Sequence, residues 1–327
     1  MKTRELIKFL NNFSPKKIAI IGHKNADPDA ICSMYALSYF LKNLHRDAEI
    51  SIIAEDVNKI SEKIISELNL KVKSNFTFKP EIIILVDANN LVQIGKLKEY
   101  LPSNVPIIVI DHHIAHPETD KISQFKIIDE KATSSSEIIY KILRETNLKI
   151  EPKIALALLI GILYDTRRFT IISDEIFSIV LDLLKAGASY DKALELLRTT
   201  MDRSEKLARL KAAQRAVIHK IGEWIIVTSY VSAYEASACR AFIDLGADVV
   251  FVASEKEEEV RISARATSEF FEKTGINLAR VMEKVGHVIG GVGGGHPTAA
   301  GANGTKNAQE GIKEALKILE KEIIKSP

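Results

Sequence analysis

Cysteine is scarce: 2 residues in 327, Cys32 and Cys239, far apart in the chain. They form no metal-type pair and no disulfide framework, which points to a reducing, cytoplasmic setting. An excess of one charge is also missing. Lys+Arg number 45 against Asp+Glu 43, a formal net charge of +2. Blanket neutralisation of a long nucleic acid calls for a more basic chain. A short nucleic acid, or a phosphorylated small molecule in a local basic pocket, stays compatible with that balance. No apolar stretch reaches the roughly 20 residues that span a bilayer; the longest lies near residues 154–163. The N-terminal MKTRELIKFLNNF carries no signal-type hydrophobic region and no small-residue cleavage site. The expectation is a cytoplasmic protein with no membrane partner. Internal repeats, low-complexity tracts and long linkers are absent too. What remains, 46% hydrophobic and 27% charged, is the balance of an ordinary globular protein. At about 100–200 residues per domain the length suggests two domains.

Hydrophobic patterning outlines the first domain. Residues 3–13 read as a short amphipathic helix. Lys17–Gly22, Ile50–Ala54, Glu81–Val86 and Val105–Ile110 are brief apolar runs, as buried strands would be. Helical spacing covers Ala30–Leu44, Ile60–Leu70, 133–147 and 152–164. Strands alternating with helices imply an α/β, doubly wound parallel sheet. Residues 190–221, strongly polar on one face, read as a helical connection between a domain of residues 1–189 and one of residues 222–327. The second, smaller α/β domain begins with strands at WIIVTSYV, DVVFVAS and EVRISARAT. A glycine-dense run, GGVGGGHPTAAGANG, and a helix near 307–324 complete it.

Placed on that scheme, ionisable residues gather at one edge. His23, Asp27 and Asp29 follow the first strand, Asp87 ends the third, and Asp111, His112 and His113 end the fourth. Doubly wound sheets bind ligands beyond the carboxyl ends of their strands. Crowded carboxylates raise one another's pKa, and a multivalent cation relieves the repulsion. Mixed imidazole and carboxylate donors suit a first-row ion such as Mn²⁺ better than Ca²⁺. The donors suffice for two ions, and a pair about 3.5–4 Å apart clamps phosphorus for hydroxide attack. Taken singly, each piece also has a structural reading: Asp29 suits the N-cap of a helix beginning at Ala30. Asp165 ends an apolar helix, where the dipole disfavours a carboxylate and a metal would offset the cost.

The segments GHKNADPDAICS, ILVDANN, VIDHHIAHP and GILYDTRRF resemble the four motifs of the DHH phosphoesterases, and GGVGGGHPTAAG resembles the signature of their DHHA1 domain. The motifs run from about residue 18 to 304. The resemblance implies manganese-dependent cleavage of phosphodiesters or phosphomonoesters, with Mg²⁺ as the alternative ion. It implies one ion on His23, Asp27 and Asp87, and another on Asp29, Asp87, His112 and Asp165. Asp111 would orient His112, and His113 would donate to the substrate phosphate or the leaving oxygen. The family pattern often follows the last aspartate with Thr-Gly; here Thr166 precedes Arg167 and Arg168. These arginines either grip an extra phosphate, restrict access, or are solvated charge.

The glycine run offers unobstructed backbone N–H groups at Gly294 and Gly295, a nest for an anion. Arg261, Ser263 and Arg265 share one strand face. The resemblance assigns nucleotide contacts to Arg265 and His296. The N-terminal domain would then do the chemistry and the C-terminal domain hold the nucleotide. The expected activity is an exonuclease releasing nucleoside 5′-monophosphates from short single-stranded RNA or DNA. The alternatives are a 3′-phosphatase of adenosine 3′,5′-bisphosphate and a scaffold of replication or repair proteins. A homo-oligomer stays open.

Overall fold

The computed structural model describes residues 2–102, 104–198, 201–257 and 259–324. The chain divides into two compact units, Met1–Thr199 and Thr200–Pro327. In the first, the order is α1 (Thr3–Phe13), β1 (Lys17–Ile21), α2 (Pro28–Leu44), β2 (Glu49–Ile53), α3 (Lys59–Glu67), β3 (Val72–Lys73) and β4 (Ile82–Val86). A 3₁₀ turn (Gly95–Tyr100), β5 (Ile107–Asp111), α4 (Thr119–Ile122) and β6 (Phe125–Ile128) follow. Helices α5 (Ser135–Glu145), α6 (Pro152–Asp165), α7 (Ile176–Lys185) and α8 (Tyr190–Leu197) close the unit.

The six strands are all parallel, in the order β3-β2-β1-β4-β5-β6. The order reverses between β1 and β4, the switch point at which doubly wound sheets take their ligands. Strand β4 is buried along its whole length, as a central parallel strand must be. Its Ile82, Ile84 and Val86 enter the larger core with α2, α5 and α6; Ile83 and Leu85 enter a second core beneath the 3₁₀ turn. Helix α2 begins at Pro28, two residues earlier than the spacing suggests. Asp27, not Asp29, caps it, its Oδ1 accepting from Ala30 N at 3.1 Å, with Pro28 preset for the first turn.

The second unit runs α9 (Arg203–Gln214), β7 (Val217–Ile221), β8 (Trp224–Tyr230), α10 (Glu235–Asp244), β9 (Val249–Lys256) and β10 (Glu259–Ala266). It ends with α11 (Ser268–Thr274), α12 (Leu278–Val288), β11 (Val292–His296), β12 (Ala299–Gly304) and α13 (Ala308–Ile323). Its sheet has the order β11-β12-β10-β9-β8-β7, with only β8 and β9 parallel. Val260, Ile262 and Ala264 face a core with α11, α12 and α13, while Val250 and Val252 face α10.

Residues 190–221 are not one helical connection. Helix α8 buries Ala193, Leu196 and Leu197 in the first core. Residues 199 and 200 lie outside the described residues, and Val217–Ile221 is a strand paired with β8 across a turn at Gly222, φ +61°. The glycine run is likewise an antiparallel hairpin of β11 and β12, with β11 at the edge of the sheet. Close approach demands glycine there. A Cβ at Gly293 would stand 1.8 Å from the Met282 carbonyl of α12, and one at Gly291 1.9 Å from the Asn303 carbonyl.

Candidate metal centre

The first-unit donors lie at the carboxyl ends of β1, β4 and β5, joined by Asp29 in the first turn of α2 and Asp165 at the end of α6. Among the described residues, donor atoms fall into overlapping groups within 4.8 Å of one another: His23, Asp27 and Asp87; Asp29, Asp87, His112 and Asp165; and Asp87 with Asp111, His112 and His113. Asp87 belongs to all of them. It is 2% exposed, and its φ of +58° turns the chain as it leaves β4, a conformation that aspartate tolerates.

His23 Nε2 lies 3.8 Å from Asp27 Oδ1 and 3.6 Å from Asp87 Oδ2. Its Nδ1 lies 2.7 Å from the Lys24 carbonyl, which fixes the proton there and leaves Nε2 as the donor atom. His112 Nε2 is 3.5 Å from Asp87 Oδ1 and 3.1 Å from Asp165 Oδ2. This nitrogen is itself buried, and its approach to the two carboxylates is an ion pair without good hydrogen-bond geometry. Asp29 is wholly buried; its two carboxylate oxygens accept from Ser135 N at 2.7 Å and Ser136 N at 3.0 Å. The start of α5 thus holds Asp29, and the Ser135 hydroxyl donates to Asp87 Oδ1 at 3.0 Å.

Asp111 departs from expectation. Its Oδ1 accepts from the backbone N–H groups of His112 and His113, and lies 2.9 Å from His113 Nδ1, not against the His112 ring. The turn after β5 sends the His112 ring toward Asp87 and Asp165, and leaves His113 beside Asp111. His113 is half exposed.

Burial and the charges of its neighbours push the Asp87 carboxyl up to about 7, and Asp29 well above the usual carboxylate range. Burial opposes a charged His112, but Asp165, Asp29 and Asp87 outweigh it and raise the imidazole to about 9; His23 reaches about 9 in the same way beside Asp27 and Asp87. The donor set fits divalent cations. The buried His112 Nε2, without a good hydrogen bond, and the crowded carboxylates both gain from positive charge at the same place. Cys32, wholly buried, has its thiol raised by burial and is unreactive core.

Sequence reasoning missed the supports. Ser134 caps α5, its hydroxyl accepting from Glu137 N, and Glu137 accepts from Thr133 N, a box-like arrangement readable in the Ser-x-x-Glu spacing. Gly161 in α6 is a second such support. A Cβ there would stand 2.1 Å from Ser136 Oγ and 2.6 Å from Asp29 Oδ1.

In the second unit, the register places Arg265, Ala299 and His296 in one row across β10, β12 and β11, and so on one face of the sheet. Gly294 lies along that strand with nothing within 4 Å of a Cβ built on it. The Gly295 position, φ +142°, is needed for the hairpin: a Cβ would meet the Ala299 carbonyl at 2.6 Å. Arg261 is 60% exposed and pairs with Glu259.

Among the described residues, no helix is long and apolar enough to cross a membrane. Residues 17–162 match the DHH family, N-terminal domain, and residues 227–325 match the DHHA1 domain. The chain is 34% identical over 98% of its length to an uncharacterized protein of Methanocaldococcus jannaschii, covering 97% of it. It is 27% identical to the bifunctional oligoribonuclease and PAP phosphatase NrnA of Bacillus subtilis, over 93% of each chain. The fold matches an exopolyphosphatase-related protein from Bacteroides fragilis at a TM-score of 0.62, with 19% identity and 97% of each chain covered. With those matches and the donor cluster at the sheet's switch point, the chain belongs to the DHH phosphoesterases and is a hydrolase with a DHHA1 domain.

Proposed function

We propose that the protein is a manganese-dependent nuclease that hydrolyses short single-stranded oligonucleotides to nucleoside 5′-monophosphates. The observation that carries this reading is the convergence of His23, Asp27, Asp29, His112 and Asp165 on one shared carboxylate, Asp87. His23, Asp27 and Asp87 would hold one ion, and Asp29, Asp87, His112 and Asp165 the other. When bound, the ions supply an activated water and neutralise charge on the phosphoryl and departing oxygens. The residues do the rest. Ser135 and Ser136 fix Asp29 from the start of α5, and the Ser135 hydroxyl orients Asp87. Asp111 holds His113 and, by hydrogen bond and charge, keeps its imidazole above the usual histidine range. His113 is thereby a donor toward the phosphate or the leaving oxygen. Arg265 and His296, in one row beside Gly294, would hold the nucleotide, giving the second unit the substrate-binding role. A cytoplasmic location fits the scarce cysteine.

The name of the B. subtilis relative pairs oligoribonuclease with PAP phosphatase, which favours a second activity on adenosine 3′,5′-bisphosphate at the same centre. The test supplies Mn²⁺ and, in parallel, a labelled RNA dinucleotide, a long single strand and adenosine 3′,5′-bisphosphate, with Asp87→Ala as control. The reading expects highest kcat/KM on the dinucleotide, lost in the control. Preference for the bisphosphate would make the protein chiefly a phosphatase. Turnover of none of them would overturn both readings in favour of a scaffold.

A further inference from the structure

The donor cluster borders a cavity of about 810 Å³ in the first unit, whose lining includes His112, Asp165, Lys131, Arg167, Ile171 and Ile172. That volume accommodates a nucleotide-sized ligand. Its wall is built on an unusual turn. Arg167, Arg168 and Phe169 have φ of +48°, +57° and +67°, consecutive left-handed positions that side chains adopt with strain. The turn is held from several sides. Arg167 N donates to the Tyr164 carbonyl, Arg168 N to the Leu163 carbonyl and Phe169 N to the Thr166 hydroxyl. Phe169 also stacks on Tyr190, ring centroids 6.4 Å apart. Arg167 thus occupies a position where the family pattern often has glycine, which would carry no such strain.

The two arginines separate in role. Arg168 lines an adjoining hollow with Ile60 and Leu197, and only Arg167 also lines the cavity beside the cluster. Among the described residues, the side chains of Arg167 and Lys131 have no hydrogen-bond or ion-pair partner. Glu130, the other acid lining the cavity besides Asp165, accepts from Ala115 N. Both cations are exposed at the cavity and available to an anion there, and a guanidinium matches phosphate geometry.

We propose that Arg167 and Lys131 form a subsite for a second phosphate of the substrate, next to the one being hydrolysed, with Ile171 and Ile172 offering apolar surface to the sugar or base. This rests on the phosphoesterase reading above and narrows its substrate to those carrying a neighbouring phosphate.

The test compares wild type, Arg167→Gly and Arg167→Lys as full chains. Glycine suits the left-handed position, so the first variant retains the turn. With Mn²⁺, kcat/KM is measured on a 5′-phosphorylated RNA dinucleotide and on its unphosphorylated form. The subsite predicts that the ratio between them falls roughly tenfold in Arg167→Gly, the size of one lost charge-assisted contact. Arg167→Lys, which keeps charge without the fork, falls between. A second arm titrates adenosine 3′,5′-bisphosphate and AMP calorimetrically in EDTA, where turnover is blocked. Wild type should prefer the bisphosphate and Arg167→Gly should lose that preference. Equal ratios and equal binding preferences in wild type and Arg167→Gly would overturn the subsite while leaving the nuclease standing. Absence of turnover in every chain would overturn the nuclease reading, and the binding arm would still decide the subsite.

Discussion

At the scale of single residues, protonation decides how the centre behaves. With no cation to share, the folded state raises Asp87 to about 7 and His23 and His112 to about 9, and raises Asp29 as well. Each folded pKa lies above its unfolded value, so the folded chain binds more protons. These groups therefore favour folding at low pH, and that contribution is lost as pH rises through about 4 to 9. The EDTA-treated protein should accordingly show a melting temperature that falls from pH 5 to pH 9 through this cluster. Mn²⁺ competes with those protons, so its stabilisation should be larger at pH 8 than at pH 5. Scanning calorimetry with and without Mn²⁺ at both values checks this; a stabilisation larger at pH 5 contradicts the assignment. Asp111→Asn should lower kcat about 10–100-fold, the usual cost of losing a group that orients a working imidazole. Steady-state kinetics would show the loss in kcat rather than in the Mn²⁺ requirement. The donors themselves were legible because His23, Asp87 and His112 stand beside strand ends marked by apolar runs, Asp27 and Asp29 follow just after the first of these, and Asp165 ends an apolar helix. The partner of Asp111 was not. Two adjacent histidines follow it, and only the turn after β5 decides which ring it touches.

At the scale of elements, the start of α5 and the middle of α6 act as the clamp on Asp29. Ser134→Ala removes the cap of α5 and should cost about 1 kcal/mol of stability. Gly161→Ala forces a methyl against Ser136 Oγ and Asp29 Oδ1, an overpacking of about 1–3 kcal/mol. It should weaken Mn²⁺ binding more than Ser134→Ala does, which calorimetric titration of the two variants reads directly. Neither support could be seen from spacing, since Ser135 and Asp29 are 106 positions apart. Among the strands, β1, β2, β4 and β5 were legible because both faces are apolar. Edge strand β7 was not: Val217 and Ile218 are exposed, and five residues with His219 and Lys220 among them are too short a run to separate helix from strand patterns. The β11–β12 hairpin was hidden for another reason. Its glycines have no strand preference, and tertiary contacts select them: α12 presses its backbone onto Gly293, and the β12 side crowds Gly291 and Gly295.

At the scale of the whole molecule, two units with cores of their own carry the two tasks proposed for them. A chain of residues 201–327 alone should melt cooperatively, bind AMP weakly and hydrolyse nothing. Loss of the cooperative melt would show that the second unit depends on the first. The central claim is that the first unit gathers its donors around Asp87 to hold divalent cations. Calorimetric titration of the EDTA-stripped full chain with Mn²⁺ tests it most directly. The account predicts about two equivalents per chain, and in Asp87→Ala a loss of affinity beyond the roughly 10–100-fold that removing an orienting neighbour costs. Binding absent from the wild type, or unchanged by Asp87→Ala, would contradict it.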